Sequence, residues 1–204
     1  MDIGSIMRIC PMIPVLIVED VAQARAIAEA LVAGGLRVLE VTLRTPAALD
    51  VIREMSRVEG AVVGAGTVLN ETQLQESIEA GARFAVSPGL TERIGRAAIA
   101  SGLPFLPGVS SPGDIMRGLD LGLSHFKFFP AVASGGIPGL AALSGPFAEA
   151  GFCPTGGITM ETAPDWLALD PVLCVGGTWL NSKPGAVDRE ALRKGAEAAA
   201  ALNS

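Results

Sequence analysis

Along the 204 residues, short apolar stretches rich in β-branched residues alternate with longer stretches of Ala, Leu and charged residues, and the alternation repeats eight times. A strand buried on both faces reads as a continuous apolar run, whereas an amphipathic helix repeats its apolar positions every three or four residues. On these rules strands are predicted near Ile13 to Val18, Val38 to Leu43, Ala61 to Ala65, Phe84 to Ser87, Pro104 to Pro107, His125 to Phe128, Phe152 to Thr155 and Leu173 to Gly176. The clearest helices span Val21 to Ala33, Ala47 to Arg57, Glu71 to Ala80, Glu92 to Ala100 and Asp188 to Leu202. Gly34, Gly35 and Gly81 stand where helices end, and Asp20, Asn70 and Thr91 where they begin.

Eight successive βα units predict an α/β fold of the (β/α)₈ TIM-barrel type. A doubly wound open sheet is the alternative, but no G-x-G-x-x-G follows the first strand, which weakens its dinucleotide-binding form. Nothing along the chain reads as a linker, so residues 1–204 are expected to form a single domain.

Half of the residues are hydrophobic and 18% are charged, with 25 glycines and 14 prolines spread along the chain. That is the make-up of a compact α/β protein. The net charge of −6, without a basic run, argues against nucleic acid or an anionic membrane as partner. No apolar run reaches the roughly 18 residues that span a bilayer, and the N-terminal segment lacks the order of a signal peptide, so a cytoplasmic protein is expected. Cys10, Cys153 and Cys174 are widely spaced and read as buried free thiols. A single histidine, His125, disfavours a catalytic metal site built on imidazoles.

In a barrel the reacting groups sit at the C-terminal ends of the strands. The sixth predicted strand reads HFKFFP, and alternation points His125 and Lys127 one way, Phe126 and Phe128 the other. If the phenylalanines pack under the helices, Lys127 faces the interior, where an unpaired ammonium is expensive. Desolvation favours the neutral amine, which is the nucleophilic form. The alternative is a lysine that snorkels to solvent or pairs with a carboxylate. Lys183 and Lys194 lie in polar surroundings and read as surface residues.

The second predicted strand places Glu40 between Val38 and Thr42 on one face. Turned toward Lys127 it would be a general acid or base; a purely structural Glu40–Lys127 ion pair is the competing reading. Arg44, just beyond this strand, suits a bidentate grip on a substrate carboxylate or is simply a surface residue. In GAGTVLN, small residues would let a ligand approach the backbone and Thr67 supplies a hydroxyl. The SPG at Ser87, Pro88 and Gly89 reads as a tight turn or as a pocket wall. The seventh and eighth strands end in Thr155-Gly156-Gly157 and Gly176-Gly177-Thr178, which read as anion-binding loops or as plain tight turns.

Taken in order, LVAGGLRVLEVTLRT, VGAGTVLN, VSPGLT, FKFFPA, FCPTGGIT and LCVGGTWL resemble the 2-keto-3-deoxy-6-phosphogluconate (KDPG) aldolase family, which also includes 4-hydroxy-2-oxoglutarate aldolases. The resemblance covers nearly the whole chain. It implies a metal-free class I aldolase without cofactor, on a homotrimeric (β/α)₈ barrel, acting on a phosphorylated 2-keto acid in the Entner–Doudoroff pathway. It also implies Lys127 as the Schiff-base residue and Glu40 as the proton-transfer residue. By the same resemblance Arg44 and Thr67 hold the pyruvyl carboxylate, Pro88 and Phe129 line the pocket, and Gly156, Gly157, Gly177 and Thr178 take the phosphate. Many members carry serine where this chain has Thr178, which keeps the hydroxyl and adds a methyl.

Two other functions are compatible with the same residues. One is a pyridoxal-phosphate enzyme using the lysine and the anion loops. The other is a catalytically silent barrel that binds a phosphorylated metabolite around a Glu40–Lys127 pair.

Overall fold

In the computed structural model, residues 1–181 and 187–202 are described. Short parallel strands alternate with helices: α1 Ile3–Met7, β1 Met12–Leu16, α2 Val21–Ala33, β2 Val38–Thr42, α3 Ala48–Met55, β3 Val62–Gly66, α4 Glu71–Glu79, β4 Ala85–Val86 and α5 Glu92–Ser101. Then follow β5 Phe105–Leu106, β6 Gly108–Val109, α6 Pro112–Asp120, β7 His125–Phe128, α7 Gly136–Ser144, β8 Gly151–Pro154, α8 Ala163–Leu167, β9 Val175–Gly177 and α9 Arg189–Ala200.

Every predicted strand has a counterpart, with ends displaced by at most two residues and β7 matching at both ends. The fifth is divided: Pro107 separates β5 from β6 because proline has no N–H for the ladder. Its carbonyl still accepts from the Lys127 N–H at 2.8 Å. The helix ends follow the predicted chemistry. The Asp20, Asn70 and Thr91 side chains accept from the N–H groups of Ala22, Gln73 and Ile94. Gly34 caps α2 for a packing reason: a Cβ there would stand 2.5 Å from the Arg193 carbonyl of α9. Lys194 is a surface lysine, 3.5 Å from Glu190, while Lys183 lies outside the described residues.

The strands form a six-stranded sheet ordered β5-β4-β3-β2-β1-β9 and a three-stranded sheet ordered β6-β7-β8, with every pairing parallel. Parallel bridges at Phe152–Val172 and Thr155–Gly176 bring β8 alongside the β9 segment. The sheet therefore curls, with helices covering its outer face. All five residues of β1 and of β2 are buried, as expected for strands covered on both sides. The outward layer contains Leu39, Val41, Val63, Ala65, Phe126 and Phe128, each essentially inaccessible. α1 packs Ile6 and Met7 into the core, and its Gly4 lies so close to His125 that a Cβ would be 2.5 Å from the imidazole Nε2.

Candidate active site

Lys127 and Glu40 come from β7 and β2, which alternation turns toward the interior. Their side chains meet there: Nζ donates to Glu40 Oε1 at 3.1 Å. Lys127 is 6% exposed and Glu40 3%, so the pair is withdrawn from water. The ammonium also stands 5.3 Å from the centre of the Phe129 ring, within cation–π range. The register sets Lys127 beside Gly108 and Cys153, and Glu40 beside Val15 and Gly64.

The space over β3 is taken by the protein's own side chains, where the sequence suggested an approaching ligand. A Cβ on Gly64 would be 2.4 Å from the Phe84 ring, and one on Gly66 would be 2.3 Å from Glu40 Oε1. Thr67 follows directly, half-buried, with φ of 59°, a left-handed conformation uncommon outside glycine. Arg44 is exposed two residues beyond β2, and among the described residues it joins no ion pair.

The Pro88–Gly89 turn is both tight and a wall. The Ser87 hydroxyl donates to the Gly89 carbonyl at 2.6 Å, and a Cβ on Gly108 would be 2.2 Å from the Pro88 oxygen. Pro88, Leu90, Ile94, Val109 and Phe129 help to line a cavity of about 440 Å³. Phe129 is thus common to this cavity and to the surroundings of Lys127; the buried pair itself does not line it.

The two glycine loops lie side by side, joined by the Thr155–Gly176 bridge. Gly156 and Gly157 take φ of 107° and 81°, which glycine adopts without strain. Gly177 is buried, its Cα so close to the Trp179 ring that a Cβ would approach it to 1.8 Å. Thr178 is exposed at the end of β9. Its carbonyl accepts from the Asn181 side-chain amide at 3.1 Å, and that amide also donates to Val15 O in β1 at 2.9 Å. Asn181 carries no local signal in the sequence, because the Val15 carbonyl it reaches lies 166 residues earlier, in β1.

Other ionisable groups belong to the framework. His125 shares the interior face with Lys127 but sits against α1; burial chiefly, then Arg8, holds its pKa below the usual value, opposed by Asp2. The Cys174 thiol is pushed well above its ordinary range by its hydrogen bond with Cys153 and by burial. All three cysteines are buried and free.

The sequence pattern of the aldolase family described as KDPG and KHG aldolase matches residues 3–194. The chain belongs to this family. Among KDPG and KHG aldolases, it is 55% identical to the 2-dehydro-3-deoxy-phosphogluconate aldolase of Zymomonas mobilis subsp. mobilis, over 97% of this chain and 96% of the relative. It is 54% identical to the KHG/KDPG aldolase of Escherichia coli K12, over 86% and 83%. A crystal structure of the Zymomonas mobilis ZM4 KDPG aldolase with 3-phosphoglycerate superposes with a TM-score of 0.96 at 53% identity, covering 99% of this chain and 96% of that one. The KDPG aldolase of Legionella pneumophila, holding pyruvate as a covalent carbinolamine, superposes with a TM-score of 0.87 at 42% identity, covering 99% and 96%.

Proposed function

We propose that this chain is a class I aldolase that cleaves KDPG to pyruvate and glyceraldehyde 3-phosphate, with 4-hydroxy-2-oxoglutarate as a lesser substrate. The observation that carries the reading is the isolated, buried contact of 3.1 Å between the Lys127 amine and the Glu40 carboxylate. On this reading the Lys127 amine is the nucleophile and the Glu40 carboxylate the proton acceptor, and their contact out of water supports it. The pyruvate carbinolamine of the Legionella pneumophila relative is the intermediate such a nucleophile would form.

In this mechanism Lys127 passes a proton to Glu40, and the neutral amine attacks C2 of the keto acid. The carbinolamine takes a proton back from Glu40 and loses water to give an iminium. Glu40, through a water, then removes the C4 hydroxyl proton; the C3–C4 bond electrons flow to the iminium nitrogen, and glyceraldehyde 3-phosphate departs. Glu40 returns the proton to C3 of the enamine, and hydrolysis releases pyruvate and the amine. Arg44 and Thr67 hold the carboxylate, Pro88 and Phe129 shape the pocket, and Gly156, Gly157, Gly177 and Thr178 receive the phosphate.

The same reading makes residues 1–204 one closed (β/α)₈ barrel. The β5–β6 continuity through Pro107 and the bridges between the β8 and β9 segments support it. It also takes over the family's homotrimer, the Entner–Doudoroff pathway and a cytoplasmic location. No helix among the described residues is long and apolar enough to cross a membrane.

The test is chemical. After incubation with pyruvate and reduction with borohydride, peptide mapping should find the adduct on Lys127. An unlabelled Lys127, or full cleavage by Lys127→Ala, refutes the scheme. Cleavage rates on KDPG, its C4 epimer and 4-hydroxy-2-oxoglutarate then rank the substrates.

A further inference from the structure

The Glu40 carboxylate is held from two sides. On one side Lys127 Nζ donates to Oε1 at 3.1 Å. On the other the side chain lies against the bare Cα of Gly66: a Cβ there would stand 2.3 Å from Oε1, 2.7 Å from Cγ and 2.8 Å from Cδ. Gly66 is not the register partner of Glu40. That partner is Gly64, whereas Gly66 pairs with Thr42. Over Gly64 the available space is filled by the Phe84 ring, whose Cε1 would be 2.4 Å from an added Cβ. The glutamate therefore leans along the strand direction, past Phe84, onto the next inward-facing glycine. Gly66 has no positive φ, so an alanine there meets no backbone strain. Its perturbation is the contact with Glu40.

We propose that Gly66 is a positioning residue for the proton transfer, and that its missing side chain fixes where the Glu40 carboxylate stands relative to the imine nitrogen. The inference rests on the reading of Glu40 as the proton-transfer group. With alanine at this position, Oε1 must retreat from 2.3 Å to the 3.4 Å at which ordinary contact begins. Lys127 and Phe84 occupy two of the directions open to it. A misplacement of about 1 Å in a reacting group costs about 100-fold in rate, and loss of a general acid–base costs about 10²–10⁴-fold.

The experiment compares the unaltered protein with Gly66→Ala, Glu40→Asp, the double variant and Glu40→Gln. Three quantities are followed: kcat for KDPG cleavage, deuterium exchange into the pyruvate methyl group, and borohydride trapping of pyruvate. Gly66→Ala is expected to lose about 100-fold in kcat and in exchange, while trapping on Lys127 persists. In both rates the double variant is expected to lose less than the product of the two single losses, because Gly66→Ala and Glu40→Asp displace the same carboxylate. A general loosening of the fold, independent of Glu40, gives losses that multiply. Undiminished exchange in Gly66→Ala overturns the inference, as does a double variant whose losses simply multiply. If Gly66→Ala alone is insoluble, recovery of folded protein by Glu40→Ala, which removes every side-chain atom the new Cβ would meet, supports the contact, and failure to recover it refutes it. Glu40→Gln separates the two levels of argument. If it exchanges pyruvate protons at the unaltered rate, the role of Glu40 itself fails. If it is slow while Gly66→Ala is fast, only the positioning role fails.

Discussion

Removing the amine of Lys127 tests the energetics of the site as well as its chemistry. With Lys127→Met, the Glu40 carboxylate keeps its burial, with its side chain 4% exposed, and loses its partner at 3.1 Å. Breaking a buried pair on one side costs about 3–5 kcal/mol, because an uncompensated charge stays in the interior. For a chain of this size each kcal/mol shifts the melting temperature by about 2–4 °C, so the expected loss is about 6–20 °C. Replacing both partners, as in Glu40→Met/Lys127→Met, removes the charge together with its desolvation cost and should return stability to that of the unaltered protein or above. Thermal and urea unfolding at pH 7, followed by circular dichroism at one fixed protein concentration, measure both effects. The single variant should be inactive and much less stable, the double variant inactive and stable. Equal stability of Lys127→Met and the unaltered protein, or a double variant no more stable than the single one, would refute the description of the pair as desolvated.

Two further outcomes follow from the titrating groups outside the pair. His125 has a lowered pKa in the fold, mainly from burial, so the unfolded chain binds its proton first as pH falls through about 6.5. Stability is therefore full above that pH and declines below it; His125→Asn should flatten the fall in urea midpoint between about pH 7 and 5, and an unchanged slope would assign the decline elsewhere. Cys174 is raised instead, by Cys153 and by burial, so its contribution is full below the unfolded thiol value of about 8.5 and is lost as pH rises past it. Cys174→Ala should reduce the alkaline loss of stability, and iodoacetamide at pH 8 should leave all three buried thiols unlabelled until urea is added; rapid labelling of Cys174 in the native protein would contradict its burial.

Element order was readable because strand and helix periodicity are local signals. α2 runs from Val21 to Ala33 and β7 from His125 to Phe128, as the pattern predicts. The break of the fifth strand at Pro107 was also local, but its consequence was not, since the proline carbonyl remains in the ladder as the acceptor for Lys127. The N-terminal helix α1 is five residues long, too short for a periodic signal. In the site, Lys127 and Glu40 stood out as charges within apolar strands. Gly66 was visible only as part of a small-residue motif. What its bareness accommodates depends on how far Glu40 leans past the ring of Phe84, just ahead of β4, which fills the space over Gly64.

The pair also explains why the curl of the sheet matters for chemistry. Between β2 and β7 lie β1, β9 and β8 on one side, and β3, β4 and the β5–β6 stretch on the other. Neighbouring strands stand about 4.8 Å apart, so in a flat sheet four such steps would separate the two backbones by about 19 Å. Even a fully extended lysine and glutamate could not close that gap lying side by side on one face. Their contact at 3.1 Å requires the strands to face each other across an interior. The same curvature that brings the Lys127 amine to the Glu40 carboxylate removes both from water, so neither group acquires its environment from its own strand. For that reason no reading of β2 or β7 alone distinguishes a reactive pair from two separate buried charges.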